Sequence, residues 1–284
     1  MNWFDEGALY SQIGLFLRED LGRGDITTQT VVARNTRARA RFVAGETMIV
    51  AGLEAAEEVF LSLDSQQQLE AFVADGEQVE GGKVIARTIG FADVLLSAEQ
   101  VALNLIQRLS GIATLTNQYV KALEGTGCQV IDSRATAPGL RLLEKYAVKL
   151  GGGANGRFGL DDGILITTNH LSIAGGIAKS LNATKEKLGH LHKIAVRVAN
   201  EVEAREAAAN GADILVTTNP DPAALATLVA AIRELSSEVL IEYSGNVAPD
   251  KARSFAEAGA SLISVEALTN GAPATKISFQ MQPF

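Results

Sequence analysis

The chain has 284 residues, 47% of them hydrophobic and 20% charged, which suits two globular domains and excludes a disordered protein. A formal net charge of −8 excludes a general nucleic-acid binder, which needs a basic surface. No apolar run reaches the ~18 residues of a membrane span, and the first residues lack the pattern of a secretion signal. We therefore expect a cytoplasmic protein that binds neither nucleic acid nor a membrane.

The first part of the chain, residues 1–112, is predicted to form an α+β sandwich domain. Apolar residues recur at helical spacing near the N-terminus, and short alternating runs with glycine turns follow. Ser110-Gly111 predicts an interruption in the last long helical segment. In chain order we expect a helix at 5–20, a strand, turn and strand at 37–52, a helix at 53–63, strands within 68–90 and one or two helices at 94–123.

In the second part, residues 113–271, short aliphatic runs alternate with helical patterns, which predicts βα units and a parallel sheet. Six tight units favour a closed or nearly closed β/α barrel over a doubly wound open sheet. The tail, about 272–284, is expected to pack on the N-terminal domain. Predicted strands lie at 128–132, 163–167, 193–199, 212–217, 238–244 and 261–267, and predicted helices at 139–150, 173–188, 201–211, 221–235 and 248–260.

In a β/α barrel the residues at the carboxyl ends of the strands surround the active site. Those positions carry mostly serine, threonine and asparagine here. Asp132, Glu242 and Glu266 are the carboxylates that could contribute to a Mg²⁺ site, which usually needs one or two. The strand ends are 132–134, 167–169, 198–200, 217–219, 243–246 and 266–270.

Sequence blocks along nearly the whole chain point to one family. They read EDLGRGDITT (19–28), ALNLIQRLSGIAT (102–114), DSRATAPGLR (132–141), EKYAVKLGGGANGRFGL (144–160), ILITTNH (164–170), ADILVTTN (212–219), IEYSGNV (241–247) and ISVEALTNGAP (263–273). In this order they resemble the blocks of the quinolinate phosphoribosyltransferase family, also called carboxylating nicotinate-nucleotide pyrophosphorylase. The resemblance implies an α/β N-terminal domain, an incomplete parallel β/α barrel of six to seven strands and a homodimer with shared active sites.

The resemblance also implies a chemistry, in which quinolinate reacts with phosphoribosyl diphosphate and Mg²⁺ and the adduct loses a carboxylate to give nicotinate mononucleotide. Arg108, Arg134 and Arg157 stand where the family has carboxylate-binding arginines, and Arg108 would reach into the active site of the partner subunit. No catalytic residue is assigned. From the resemblance and the strand ends, the expected substrate-binding residues are Arg108, Arg134, Arg157, Thr167, Asn169, His170, Arg197, Thr218, Tyr243, Ser244, Gly245, Asn246 and Glu266.

Other positions depart from the family pattern, chiefly those that would face the metal, the ribose and the phosphates. Glu266 places a negative charge where a phosphate would lie, and two like charges ~4 Å apart repel by about 4 kcal/mol at an effective dielectric constant of ~20. The departures are Ala135 and Thr167 for lysines, Gly156 and Asn270 for histidines, Thr168, Ala195, Arg197 and Thr218 for acids, and Asn246 and Glu266 for glycines.

Three functions follow as hypotheses. In the first, a divergent family member binds a pyridine or other aromatic carboxylate through the retained arginines, with altered or lost use of phosphoribosyl diphosphate and Mg²⁺. In the second, the chain is a working carboxylating nicotinate-nucleotide diphosphorylase. In the third, it is a catalytically inactive binding or interaction protein. Mg²⁺ is expected as a cofactor only if phosphoribosyl diphosphate is used.

Overall fold

The computed structural model describes residues 6–189, 191–218 and 220–284. Its helices are α1 (Glu6–Leu21), α2 (Ile26–Val31), α3 (Leu53–Leu63), α4 (Ala92–Ala122), α5 (Arg141–Leu150), α6 (Thr168–Ala174), α7 (Ile177–Lys187), α8 (Glu201–Ala209), α9 (Pro222–Arg233), α10 (Pro249–Glu257) and α11 (Ala267–Asn270). Its strands are β1 (Arg37–Ala44), β2 (Met48–Ile49), β3 (Leu69–Ala71), β4 (Gln78–Val79), β5 (Val84–Phe91), β6 (Gln129–Ile131), β7 (Ile164–Ile166), β8 (Ile194–Val198), β9 (Ile214–Thr218), β10 (Leu240–Ser244), β11 (Leu262–Ser264) and β12 (Ile277–Pro283).

The chain forms two compact units, and the first comprises the chain up to Asn117 together with Ala137–Gly152 and Ala272–Phe284. Its sheet is antiparallel, in the order β12-β1-β5-β3. Strand β1 alternates exposed arginines with buried small or aromatic residues, as a sheet with one covered face requires. On the buried face the rings of Phe42 and Phe279 meet edge to face with centroids 4.8 Å apart.

Helix α4 runs without a break through Ser110 and Gly111, so the predicted interruption there is wrong. Gly111 serves a different purpose, because a Cβ atom at this position would lie 2.0 Å from the carbonyl oxygen of Pro273. The neighbouring Ser110 hydroxyl accepts a hydrogen bond from the Ala51 N–H at 3.0 Å. The two small residues allow the backbone of other segments to pack directly on the helix.

The second unit comprises Gln118–Thr136 and Gly153–Gly271 and contains a parallel sheet of six strands. The strand order is β6-β11-β10-β9-β8-β7. Strands that follow each other in the chain are therefore neighbours from β7 to β11, β6 pairs with β11, and β6 and β7 are the two edge strands that do not pair. A doubly wound sheet would instead reverse its order at a switch point. The mixed α/β fold with an incomplete six-stranded barrel is therefore confirmed.

The helical predictions in this unit need one correction. The segment predicted as one helix at 173–188 is divided into α6 and α7 by Gly175 and Gly176, whose φ angles are +87° and +111°. Glycine adopts this left-handed region without the steric penalty of other residues, so the pair ends one helix and starts the next. None of the helices in the described part of the chain is both long and apolar enough to cross a membrane.

Candidate functional site

A cavity of about 720 Å³ lies within the second unit. Its wall follows the alternation of the strands, since Ala195 and Arg197 of β8 face it while the buried Val196 between them faces away. Strand β10 behaves in the same way, with Glu242 and Ser244 turned to the cavity. The loops that follow the strands complete the wall, as expected for the active-site end of a β/α barrel.

Three arginines line this cavity: Arg134 after β6, Arg157 in the loop before β7, and Arg197 within β8. An Arg157 Nη1 hydrogen donates to the Gly163 carbonyl oxygen at 3.2 Å, which fixes the direction of that side chain. Burial and the positive charge of Arg134 lower the pKa of Arg157. Two guanidinium groups that repel each other in a cavity form a site for a ligand with two negative groups, and planar carboxylates match their geometry.

The loops that carry Arg134 and Arg157 are joined by a tight contact. The Gly156 N–H donates to the buried Asp132 Oδ1 at 2.8 Å, and a Cβ atom on Gly156 would lie 2.6 Å from the Asp132 carbonyl oxygen. The Ser133 hydroxyl accepts from the Ala135 N–H at 3.0 Å. In this arrangement glycine at 156 holds the two loops together, and the backbone leaves no room there for a side chain.

Arg197 and Glu242 lie deeper in the cavity and carry opposite formal charges. The Nε atom of Arg197 is buried and has no hydrogen-bond partner among the described residues. An unsatisfied buried donor of this kind costs roughly 1–3 kcal/mol, more when it is charged. Burial raises the pKa of Glu242 to about 7, against a hydrogen bond from Ser264 and the positive charge of Arg197. Near neutral pH this carboxyl group is therefore partly uncharged.

The structure brings some of the expected site residues together. Thr167 lies at the cavity wall, where its backbone N–H donates to His170 Nδ1 at 3.1 Å in a capping box at the start of α6. Glu266 follows the last barrel strand and is exposed. The expected residues that line the cavity are Arg134, Arg157, Thr167, Arg197, Ser244 and Glu266.

Other expected residues do not line it. Tyr243 is buried on the opposite face of β10, with its ring 4.1 Å from that of Phe255 between centroids, so its expected place in the pocket is wrong. His170 is exposed, and its ring caps α6. The remaining residues that lie outside the cavity wall are Asn169, Thr218, Gly245 and Asn246.

Arg108 belongs to the first unit, on α4. Its Nε atom donates to Glu144 Oε1 at 2.7 Å, and a second guanidinium nitrogen pairs with the same oxygen. The Glu144 side chain is completely buried, whereas that of Arg108 is one-third exposed at 33%. Burial raises the pKa of Glu144, and the hydrogen bond and charge of Arg108 oppose this shift. Within the chain, Arg108 thus neutralises a buried acid.

Some cavity residues are not among the expected substrate-binding residues. Glu242 was predicted as a strand-end carboxylate that could contribute to a Mg²⁺ site or to the pocket, and its parity with Ser244 places both on one face of β10. Lys193 and Asp162 also line the wall. Lys193 has the same parity as Ala195 and Arg197 in the predicted strand at 193–199, so the alternation of that strand could have placed it on the cavity face.

The cavity floor does not fit a magnesium ion. Mg²⁺ is usually held by one or two ionised carboxylates together with water and substrate phosphates. On this floor Asp132 Oδ1 is engaged with the Gly156 N–H, Glu242 is partly uncharged and Arg197 adds a repelling positive charge. Among residues 6–189, 191–218 and 220–284, no group of three or more His, Cys, Asp or Glu side chains could hold a metal ion. The donors of this cavity are suited to anions.

Replacing Glu242 with glutamine is expected to change the pH dependence of stability. The folded-state pKa of about 7 exceeds the usual 4.5, so this group stabilises the fold at low pH and loses that contribution as pH rises through about 7. Between pH 4 and 8 the free energy of unfolding of the native chain should fall by about 3 kcal/mol relative to Glu242→Gln. Urea unfolding at several pH values in this range measures the free energy of unfolding of both proteins. Glu238→Gln, at an exposed position, is the control. The same pH dependence of the free energy of unfolding in the native chain and in Glu242→Gln would contradict the prediction.

Comparisons with known proteins agree with the fold and cover nearly the whole chain. Residues 25–110 match the quinolinate phosphoribosyl transferase N-terminal domain, and residues 112–280 match the C-terminal domain of the same family. A probable carboxylating nicotinate-nucleotide pyrophosphorylase of Synechocystis is 38% identical, over 94% of this chain and 90% of that protein. Its counterpart in Bacillus subtilis is 38% identical over 94% and 91%. The solved nicotinate-nucleotide pyrophosphorylase of Francisella tularensis is 35% identical, with a TM-score of 0.92 and 98% of both chains covered.

Proposed function

Because the chain belongs to the quinolinate phosphoribosyl transferase family, we propose that it acts as a carboxylating nicotinate-nucleotide pyrophosphorylase, as its relatives are named. The observation that carries the proposal is the pair of neighbouring guanidinium groups of Arg134 and Arg157 at one cavity. Quinolinate, which gives other relatives their name, has two adjacent carboxylates of matching charge. These findings favour the second of the three sequence hypotheses over the first.

The proposed reaction joins the pyridine nitrogen of quinolinate to C1 of the phosphoribosyl group while the bond from C1 to diphosphate breaks. The carboxylate next to the ring nitrogen then leaves as CO₂, and a proton takes its place. The protein contributes mainly by binding and orienting the two reactants, which lowers the entropy barrier of a two-substrate reaction. Arg134 and Arg157 would hold the carboxylates, with the pyridine ring against the apolar part of the wall.

The pyridine ring is expected to lie near Leu165, Ile214 and Val216, apolar side chains that line the same cavity. They keep water from the reacting nitrogen, and a dry environment strengthens the ion pairs at the arginines. Thr167 and Ser244 supply hydroxyl groups at the strand ends for the phosphorylated sugar. This division of the cavity into an arginine side, an apolar wall and a hydroxyl side supports a substrate with an aromatic acid and a sugar part.

Chromatographic detection of nicotinate mononucleotide from quinolinate and phosphoribosyl diphosphate tests this function directly. The reaction is run with Mg²⁺ and with EDTA, and a heat-inactivated sample serves as the blank. Product above the blank in either condition supports the proposal. Absence of product in both conditions, with a correctly folded protein, rejects it.

A second candidate is binding of an aromatic carboxylate without phosphoribosyl transfer. It is favoured by Arg197 and Glu266 at positions where the sequence resemblance implies an acid and a glycine on the donor side. This candidate predicts that quinolinate raises the melting temperature although no nicotinate mononucleotide forms. A chain that responds to neither reactant would instead fit the binding or interaction protein of the third hypothesis.

The assembly and location of the protein remain predictions. A homodimer in which Arg108 reaches the active site of the partner subunit is compatible with the exposed part of that side chain. Sedimentation measurements would show the dimer. The cytoplasmic location and the domain boundary near residue 112 are likewise predictions from the sequence.

A further inference from the structure

Arg197 occupies the middle of the barrel sheet on the cavity side. In the register of the sheet it is level with Val216 on β9, and Val216 is level with Glu242 on β10. With neighbouring strands ~4.8 Å apart, the Cα atoms of Arg197 and Glu242 are separated by about 10 Å. Val216 therefore lies between the two side chains, and Glu242 influences Arg197 through its charge and not through a direct contact.

The guanidinium of Arg197 lacks an internal partner. Its Nε atom is buried without a hydrogen bond, and within the described residues the side chain forms neither a hydrogen bond nor an ion pair. A guanidinium group is a cation that carries five N–H donors and no acceptor. A buried, positively charged donor that faces a cavity is suited to an anionic oxygen of a ligand.

The surroundings of Arg197 indicate which anion fits. Ser244 brings a hydroxyl group to the same cavity, and so do Thr167 and Ser264, whose hydroxyl groups also pair with His170 Nδ1 and with Glu242. A carboxylate offers two oxygens, which one guanidinium satisfies, whereas a phosphoryl group offers three and accepts additional hydroxyl donors. Glu242 does not exclude such an anion, since a carboxyl group that is partly uncharged near neutral pH repels it weakly.

We propose that Arg197 binds a phosphoryl oxygen directly, so that this cavity takes a phosphorylated ligand without a divalent cation. Arg134 and Arg157 then remain available for the carboxylates, and the cavity has separate subsites for the two kinds of anion. The identity of the phosphoryl group as the diphosphate of phosphoribosyl diphosphate rests on the proposed function. The subsite itself rests on the orphaned Nε atom, the hydroxyl groups and the poor fit for Mg²⁺.

Isothermal titration with inorganic pyrophosphate tests the subsite. In EDTA we expect saturable binding that is at least as tight as in the presence of Mg²⁺. Arg197→Gln should weaken this binding by at least tenfold, and Arg197→Lys, which keeps the charge but loses the planar fork, should give an intermediate affinity. Quinolinate affinity should stay within about twofold of the native value in both variants. Arg205→Gln, on the exposed surface of α8, is the matched control.

Three results would overturn the proposal: no binding of pyrophosphate in EDTA, binding that requires Mg²⁺, or equal affinity of the native chain and Arg197→Gln. Melting curves verify that each variant is folded, and Arg197→Lys replaces Arg197→Gln if the latter is not. Failure of the proposed function looks different. There, metal-free pyrophosphate binding persists and depends on Arg197, while no nicotinate mononucleotide forms.

Discussion

Replacing Arg134 with methionine is expected to weaken quinolinate binding about 10- to 100-fold without lowering the melting temperature of the ligand-free protein. A hydrogen-bonded ion pair with a carboxylate contributes roughly 1.5–3 kcal/mol, and 1.4 kcal/mol corresponds to a factor of ten. The free protein tolerates the change, because Arg134 is exposed and its guanidinium pairs with none of the described residues. Its charge also disfavours the charged form of Arg157.

Titration calorimetry with quinolinate measures this effect, and differential scanning fluorimetry measures the stability of the free protein. Arg205→Met is the control, since this exposed arginine pairs with Glu201 and Glu234 outside the cavity. The double variant Arg134→Met/Arg157→Met should lose binding by more than either single variant. Quinolinate affinity within twofold of native in both single variants would show that the arginine pair is not the carboxylate site.

Replacing Arg108 with methionine is expected to lower the free energy of unfolding by about 3–5 kcal/mol at pH 8, because it leaves the carboxylate of Glu144 buried without its cation. Without Arg108, burial raises the pKa of Glu144 further. A raised folded-state pKa stabilises at low pH and loses that contribution as pH rises. The destabilisation should therefore be smaller at pH 5 than at pH 8.

Urea unfolding at both pH values measures the difference, and two variants serve as controls. Arg87→Met removes an ion pair with Glu70 in which both side chains are about half exposed, at 46% and 54%, so it should cost less than about 1 kcal/mol. Arg108→Met/Glu144→Gln removes both charges of this pair and should recover part of the loss at pH 8. If Arg108→Met were no more destabilising than Arg87→Met, the buried ion pair would have little influence on stability.

The barrel could be predicted from the sequence because the patterns that indicate each strand and helix lie within short segments of the chain. Each βα unit has its own aliphatic run and amphipathic helix, so six strands could be located without knowledge of their neighbours. The position of Tyr243 shows that a place at the end of a strand does not by itself predict a side chain in the cavity. A residue at a strand end can face the helices, and here the alternation that buries Ile241 also buries Tyr243 away from the cavity.

Contacts between segments distant in the chain were not predictable in this way. Gly111 looked like a helix breaker, yet its role depends on Pro273, far along the chain. The partnership of Arg108 with Glu144 likewise depends on how α4 and α5 pack, so the sequence alone did not identify Glu144 as its partner. The missing partner of the Arg197 Nε atom required coordinates, since composition does not show which donors are satisfied.

The pairing of β12 with β1 has a consequence for biosynthesis. Strand β12 follows every other strand in chain order, and it matches β1 from Ala38 opposite Pro283 to Ala44 opposite Ile277. Synthesis proceeds from the N-terminus, so one edge of β1 has no strand to bond with until β12 has been made, and an unpaired edge invites pairing with other chains. Removal of β12 should therefore increase the insoluble fraction of the protein during expression.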